Sequence, residues 1–223
     1  IAAPRPIGYR VVGRLLVNAA SECGFTPQLE ALEGLHARYR AQGFSVLGFP
    51  AGDFKEQECD DEQAIQEFCT LTYGVKCPMF QKVHVVGTEA VPLYRALATA
   101  TGQAPQWNFH KYLVGRDGRV LAQWGSRTRP DDPQIVAAIL VHLDPDQSSA
   151  ILMQLSDRQR SEVLLRVATL EGIQPTALKD LNEVLFKVLA GGDKVRKSSL
   201  GGVKAAAEII NLLGCEDSDI LKI

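Results

Sequence analysis

The stretch LLVNAASECGFTPQ, residues 15–28, joins an apolar run to a cysteine and then to the start of a helix. Residues 15–19 predict a short buried strand, and Ser21, Thr26 and Pro27 are typical of a helix start. We therefore expect Cys23 in the intervening turn, beside the unpaired N–H groups of a helix N-terminus. Partial positive charge there stabilises a thiolate, which is the nucleophilic form of cysteine. A buried structural cysteine is the alternative that these residues leave open.

The composition of the 223 residues is typical of a soluble globular protein, with 46% hydrophobic and 22% charged side chains. A net charge of −2 gives no reason to expect nucleic acid or an anionic membrane as a partner. No apolar stretch approaches the roughly 18 residues of a membrane span, and IAAPRPIGYR (1–10) lacks a signal core. The five cysteines are odd in number and lack framework spacing, which predicts a cytoplasmic protein.

The aromatic residues are unevenly distributed, because 14 of the 15 lie before residue 131 and only Phe186 follows. This shift predicts two domains, residues 1–130 and 131–223. The first residue is not methionine, which is typical of a fragment or a processed product.

Apolar periodicity and turn signals predict the order β-α-β-α-α-β-β for the first domain. The helix after Cys23 has apolar residues on one face and ends at Gly43. The later elements are a strand at 44–50, helices near 61–73 and 91–101, and two strands around Arg116-Asp117-Gly118. This order indicates an α/β thioredoxin-like fold, with Cys23 following the first strand.

Five blocks of the first domain resemble glutathione peroxidases in order and spacing. They are VNAASECGFTPQ, FSVLGFPAGDF with the following QE, FCTLTYGVKCPMFQKVHVVG, PLYRAL and WNFHKYLVGRDGRV. The resemblance covers about residues 9–139, and we expect the family's N-terminal hairpin to be missing. It implies that Cys23 attacks the O–O bond of hydrogen peroxide or an organic hydroperoxide and becomes a sulfenic acid. It also implies that Trp107 and Asn108 donate N–H groups to the thiolate and the leaving oxygen.

Asp53 departs from the family pattern. Many members have Asn-Gln after the Phe-Pro strand end, where this chain has Gly52-Asp53. An ionised Asp53 beside Cys23 would disfavour the thiolate, whereas a protonated one could still donate a hydrogen bond. Asp53 is therefore a candidate catalytic residue, with a solvated loop acid as the alternative.

Cys69 matches the resolving cysteine of the thioredoxin-dependent members. The resemblance implies a Cys23–Cys69 disulfide that an external thiol reductant, thioredoxin rather than glutathione, then reduces. The helix predicted around Cys69 would have to unwind partly, and a buried helical cysteine is the alternative. Cys59 could compete as the resolver, whereas Cys77 is expected in the core. No prosthetic cofactor is expected, and the four histidines share no metal-ligand spacing.

Residues 131–223 are predicted to be all helix. Ser156 and Gln159 form a capping box before an apolar run. A helix from Pro175 carries an apolar stripe that ends at Gly191-Gly192, and another follows Ser198 or Ser199. Short amphipathic helices without a catalytic cluster are suited to protein docking.

Three segments of this half resemble the middle, armadillo-like domain of the flagellar motor switch protein FliG, over about residues 131–214. They are DDPQIVAAILVHL, LRVATLEGIQPTALKDLNEVL and SSLGGVKAAAEIINLL. The resemblance implies a contact with the switch protein FliM through an acidic-His-Pro-Gln motif. Pro133 and Gln134 match that motif, and Asp132 replaces its histidine. Helix capping by an acid before a proline explains the same residues.

Both resemblances include the apolar helix predicted at 133–143, which suits a helix buried from two directions. This overlap indicates two sequences joined at a shared motif, by evolution, by assembly or by design. The leading hypothesis is a thiol peroxidase with a helical docking module. The alternatives are a flagellar interaction protein or a chimera without peroxidase activity.

Overall fold

The computed structural model describes residues 13–170, and the chain divides between Asp132 and Pro133 into two compact units. The predicted loss of an N-terminal hairpin concerns residues 1–12 and lies outside the described range. The helices predicted from Pro175 onward and Cys215 lie outside it too. Among residues 13–170, no helix is long and apolar enough to cross a membrane.

A four-stranded mixed sheet forms the centre of the first unit. Its strands are β1 (Gly13–Ala19), β2 (Phe44–Pro50), β3 (Lys111–Gly115) and β4 (Val120–Trp124), in the spatial order β2-β1-β3-β4. β1 pairs in parallel with β2 and antiparallel with β3, which pairs antiparallel with β4. A central place in the sheet explains why β1 is almost wholly buried, as its apolar sequence predicts. This order and these directions confirm the predicted thioredoxin-like fold.

Three helices of this unit lie where periodicity predicts them. They are α1 (Gln28–Tyr39), α2 (Glu62–Tyr73) and α3 (Pro92–Thr101). α1 packs against β2 and continues as a 3-10 turn to Gly43, whose φ is 88°. α3 adds Tyr94 and Leu97 to a core cluster on one face of the sheet, which includes Leu16, Phe49 and Tyr112. Packing of the sheet therefore fixes the end of β1, after which Cys23 follows.

The outer edge of β2 is covered by the segment 78–80. The Gly48 N–H donates to the Pro78 carbonyl at 2.9 Å, and the Phe80 N–H donates to the Gly48 carbonyl at 2.9 Å. A Cβ atom at position 48 would clash with Met79 Sδ. Glycine at this position therefore leaves room for the Met79 side chain, which would have to move if a Cβ atom were present.

The second unit is all helix over its described part. It contains α4 (Pro133–Leu140), α5 (Pro145–Leu152) and α6 (Asp157–Thr169). The predicted capping box of Ser156 and Gln159 begins α6, and a second box of Asp144 and Gln147 begins α5. α4 is shorter than the predicted helix at 133–143, is buried from residue 135 to 140, and packs against α6. These helices confirm the all-α class over residues 133–170.

Candidate active site

Cys23 lies in the turn between β1 and α1, as predicted, and is 7% exposed. The Thr26 hydroxyl fixes this turn, because it accepts the Cys23 N–H at 3.0 Å. The same hydroxyl lies 2.8 Å from the Ala20 carbonyl and 2.7 Å from the Cys23 carbonyl, either of which can accept its proton. The thiol is therefore held on a closed, hydrogen-bonded loop rather than on a mobile one.

The Cys23 sulfur receives a hydrogen bond from the Phe25 N–H at 3.5 Å. α1 begins only at Gln28, so this donor belongs to the turn and not to the first turn of the helix. A backbone N–H that points at a sulfur favours its thiolate form. The sequence analysis predicts donors at the N-terminus of the helix, whereas the structure supplies the donor from the turn before it.

Asn18, on β1, positions the segment that carries Trp107 and Asn108. Its side chain donates to the Trp107 carbonyl at 3.1 Å and accepts the His110 N–H at 3.0 Å. Its own carbonyl accepts the Phe109 N–H at 2.6 Å. Asn18 and Asn108 are both fully buried. The strand that precedes the Cys23 turn therefore also fixes the second predicted part of the site.

Lys111 completes this arrangement from β3. Its ammonium group is buried and donates to the Phe109 carbonyl at 2.7 Å. Burial lowers the pKa of Lys111 to about 7. Phe109 has a φ of 63°, a left-handed conformation that is strained for a bulky residue. The bond that the Phe109 N–H donates to the Asn18 carbonyl and the bond that Lys111 donates to the Phe109 carbonyl stabilise that conformation. The sequence analysis missed both residues, although both lie within the quoted blocks.

The loop 52–57 packs on Trp107. The Phe54 and Trp107 ring centroids are 5.6 Å apart, and Lys55 Nζ lies 5.8 Å from the centroid of the Trp107 ring. Lys55 and Glu56 have φ angles of 58° and 53°, which non-glycine residues rarely adopt. Gln57 follows them, and its side chain accepts a hydrogen bond from Asn108 Nδ2 at 3.1 Å. Its carbonyl accepts the Glu22 N–H at 2.9 Å.

The Asp53 carboxylate contacts the segment at 84–85. Oδ1 lies 2.7 Å from His84 Nδ1, and Oδ2 accepts the Val85 N–H at 2.6 Å. The hydrogen bond and charge of Asp53 raise the pKa of His84, because they stabilise its imidazolium form. Both carboxylate oxygens are thus engaged by groups other than Cys23.

Cys69 lies on α2 and is 3% exposed. Burial, with a smaller contribution from the Glu58 charge, raises its pKa to about 11. The other two described cysteines are also in the thiol form: Cys59 is half-buried and Cys77 is in the core, as predicted for the latter. Burial raises the pKa of both, to about 12 for Cys77. Cys69 is therefore a protonated, enclosed thiol in this conformation.

The predicted partner-binding residues Asp132, Pro133 and Gln134 lie at the start of α4. Pro133 is its first residue, and the Asp132 N–H donates to the Arg129 carbonyl at 3.0 Å. Gln134 is exposed, whereas Asp132 and Pro133 are half-buried. Helix capping explains why these residues occur at this position. A contact of Gln134 with FliM stays a prediction.

Comparison with known proteins matches residues 8–98 to the glutathione peroxidase family and residues 128–194 to the FliG middle domain. A glutathione peroxidase of Lactococcus lactis is 45% identical over 122 residues, which are 53% of this chain and 78% of the relative. The hydroperoxy fatty acid reductase gpx1 of Synechocystis sp. is 42% identical over 128 residues, covering 53% of this chain and 76% of the relative. The thioredoxin/glutathione peroxidase BtuE of Escherichia coli is 39% identical over 153 residues, covering 58% of this chain and 84% of the relative.

The two matches fall on the two parts of the chain to which the sequence analysis assigned them, which confirms both resemblances. The FliG match concerns the helical part. The peroxidase match includes Cys23, Asp53 and Cys69, and the named relatives are covered over three quarters or more of their length. The chain therefore belongs to the glutathione peroxidase family.

Proposed function

We propose that this chain reduces hydrogen peroxide or organic hydroperoxides through Cys23. The observation that carries the proposal is the enclosed thiol, which receives the Phe25 N–H on a turn that Gln57 links to Asn108. One relative is named a hydroperoxy fatty acid reductase, so organic hydroperoxides are included as substrates.

The first step transfers one oxygen atom to sulfur. The Cys23 thiolate attacks one peroxide oxygen, an S–O bond forms, and the O–O bond breaks. The other oxygen leaves with the bonding electron pair and takes a proton, which gives water or an alcohol. Trp107 and Asn108 donate N–H groups to the developing negative charge.

The second step closes a disulfide. The Cys69 sulfur attacks the Cys23 sulfenic acid, an S–S bond forms, and the hydroxyl leaves as water. A dithiol protein of the thioredoxin class then reduces this disulfide and becomes oxidised itself. A resolving cysteine favours thioredoxin over glutathione, and one relative is named a thioredoxin/glutathione peroxidase. The free cysteines suit a reducing compartment such as the cytoplasm.

Stopped-flow consumption of hydrogen peroxide by the reduced protein, followed by mass mapping of its cysteines, tests this proposal. We expect rapid oxidation at Cys23 and then a Cys23–Cys69 disulfide. Cys69→Ser should stop at the sulfenic acid. A rate no faster than that of a free cysteine would exclude the proposed activity.

A docking function for the helical unit is a second proposal, carried by the FliG match at residues 128–194. FliM is the partner that this resemblance implies, with Gln134 exposed at the start of α4. Binding of the full chain to FliM, weakened in Gln134→Ala, would support it. Binding to FliM without peroxide turnover would favour an interaction protein. The absence of both FliM binding and peroxide turnover would favour a chimera.

A further inference from the structure

Gln57 joins the two parts of the chain that carry Cys23 and Asn108. Its main-chain carbonyl accepts the N–H of Glu22, the residue before Cys23, at 2.9 Å. Its side-chain Oε1 accepts Asn108 Nδ2 at 3.1 Å. A single residue therefore relates the position of the thiol turn to that of the Asn108 amide.

The hydrogen bond to Gln57 sets the orientation of the Asn108 amide. Nδ2 carries two N–H groups, and Gln57 accepts one, which leaves the other to donate. No other side-chain hydrogen bond within residues 13–170 fixes this amide, and its Oδ1 is unpartnered there. Without Gln57 the amide could rotate and present its oxygen, which would disfavour negative charge on sulfur or on a leaving oxygen.

The backbone before Gln57 adopts an unfavourable conformation to bring it there. Lys55 and Glu56 both have left-handed φ angles, although neither is glycine. Such strain persists where surrounding contacts determine the conformation, and it is concentrated at functional sites. The contacts of Phe54 and Lys55 with Trp107 are of this kind.

Asp53 does not supply an equivalent contact. Its two carboxylate oxygens face His84 and the Val85 N–H, at 2.7 and 2.6 Å. An ionised carboxylate has no proton to donate. The Asp53 side chain is therefore held by His84 and Val85 and not by Asn108 or Cys23.

We propose that Gln57, rather than Asp53, is the positioning residue of the Cys23 site, acting through the orientation of the Asn108 amide and the placement of the thiol turn. The inference rests on the proposed function, since it concerns the same thiol.

The test measures the pH dependence of Cys23 alkylation by iodoacetamide, with the Cys23 peptide quantified by mass spectrometry. Gln57→Met removes the acceptor at nearly constant volume. Gln57→Leu also removes the acceptor, with a second apolar side chain of similar volume. Each should move the midpoint of Cys23 alkylation to higher pH by about one unit. Gln66→Met and Gln66→Leu, made at an exposed glutamine of α2, are the matched controls and should leave the midpoint unchanged.

A double-mutant cycle separates positioning from general destabilisation. Gln57→Met should slow peroxide reduction about tenfold, and adding it to Asn108→Ala should cost little more than Asn108→Ala alone. Asp53→Asn should have a clearly smaller effect on the rate of peroxide reduction than Gln57→Met.

Three results would overturn the inference: additive losses in the double mutant, an equal loss in Asp53→Asn, or unchanged alkylation midpoints in both Gln57 variants. If Gln57→Met does not fold by circular dichroism, Gln57→Leu decides alone. Alkylation requires no peroxide turnover, so an inactive wild-type protein would refute the proposed function and still leave this test valid.

Discussion

The turn that holds Cys23 and the helix that holds Cys69 place two thiols in opposite chemical situations. The Cys23 sulfur accepts a backbone N–H on a loop fixed by Thr26. The Cys69 sulfur lies inside the unit on α2, where burial raises its pKa to about 11. A cysteine that reacts first must be reactive in the folded state. A cysteine that reacts second can remain buried and unreactive until its helix opens. The difference implies that the two proposed steps are controlled by separate parts of the fold.

The largest expected effect is the difference in peroxide reduction between the Cys23→Ser and Cys69→Ser variants. Cys23→Ser should lower the rate of peroxide reduction by about a thousandfold or more, because the attacking sulfur is lost. Cys69→Ser should leave a single turnover at the wild-type rate and prevent the next one. Single-turnover and steady-state peroxide assays of both variants make this comparison. Equal losses in the two single-turnover rates would contradict the division of roles.

A second prediction concerns the hydrogen bonds by which Asn18, on the strand before the Cys23 turn, holds the segment 107–110. Asn18→Leu leaves the Trp107 carbonyl and the His110 N–H without their partner, so we expect the free energy of unfolding to fall by about 2–4 kcal/mol. Chemical denaturation measures this loss. Thr70→Val, at an exposed position of α2, serves as the comparison and should change stability by less than about 0.5 kcal/mol. A similar small change in Asn18→Leu would show that these hydrogen bonds contribute little.

A third prediction uses pH. Burial lowers the pKa of Lys111 to about 7, so between pH 7 and the ordinary lysine pKa of about 10.4 the unfolded chain binds more protons. Stability should therefore rise with pH across that window, by up to about 1.4 kcal/mol per pH unit. For Cys69 the pKa is raised from 9.0 to about 11. The contribution of this protonated thiol to the free energy of unfolding is therefore complete below pH 9 and is lost as the pH rises towards 11.

Denaturation of the wild-type protein and of Lys111→Met at pH 7 to 8.5 isolates the lysine, since Cys69 has little effect there. The difference in unfolding free energy between the two proteins should increase with pH in favour of the wild type. Parallel pH profiles would mean that Lys111 has an ordinary pKa in the folded state.

The smallest expected effect concerns the opening of α2. Gly74 ends this helix with a φ of 63°, and its N–H donates to the last carbonyls, including that of Cys69. Gly74→Ala should destabilise this end by about 1 kcal/mol and raise the alkylation rate of Cys69 several-fold. Gly34→Ala, within α1 and with open space around its Cβ, should instead be neutral or stabilising. An unchanged Cys69 rate would indicate that this thiol is exposed by a different motion.

The sequence predicts the elements well and the contacts of the site only in part. Strand and helix positions follow from local periodicity, and the turn around Cys23 follows from residues within the same stretch. The Gln57–Asn108 hydrogen bond spans 51 residues, and the Asp53–His84 pair spans 31. Such pairs depend on how the loops cross the sheet, which local patterns do not encode. Asp53 illustrates this, because its place in the family pattern suggests a neighbour of Cys23, whereas the structure engages both oxygens elsewhere.

The close approach of Met79 to Gly48 has a consequence for association between molecules. An uncovered strand edge offers N–H and C=O groups to any other chain that can extend the sheet. In this unit the segment 78–80 already occupies that edge of β2 at Gly48, and the absence of a side chain there leaves room for the Met79 thioether. The backbone N–H and C=O of Gly48 are thus already paired within the molecule, which protects this point of the sheet against intermolecular extension.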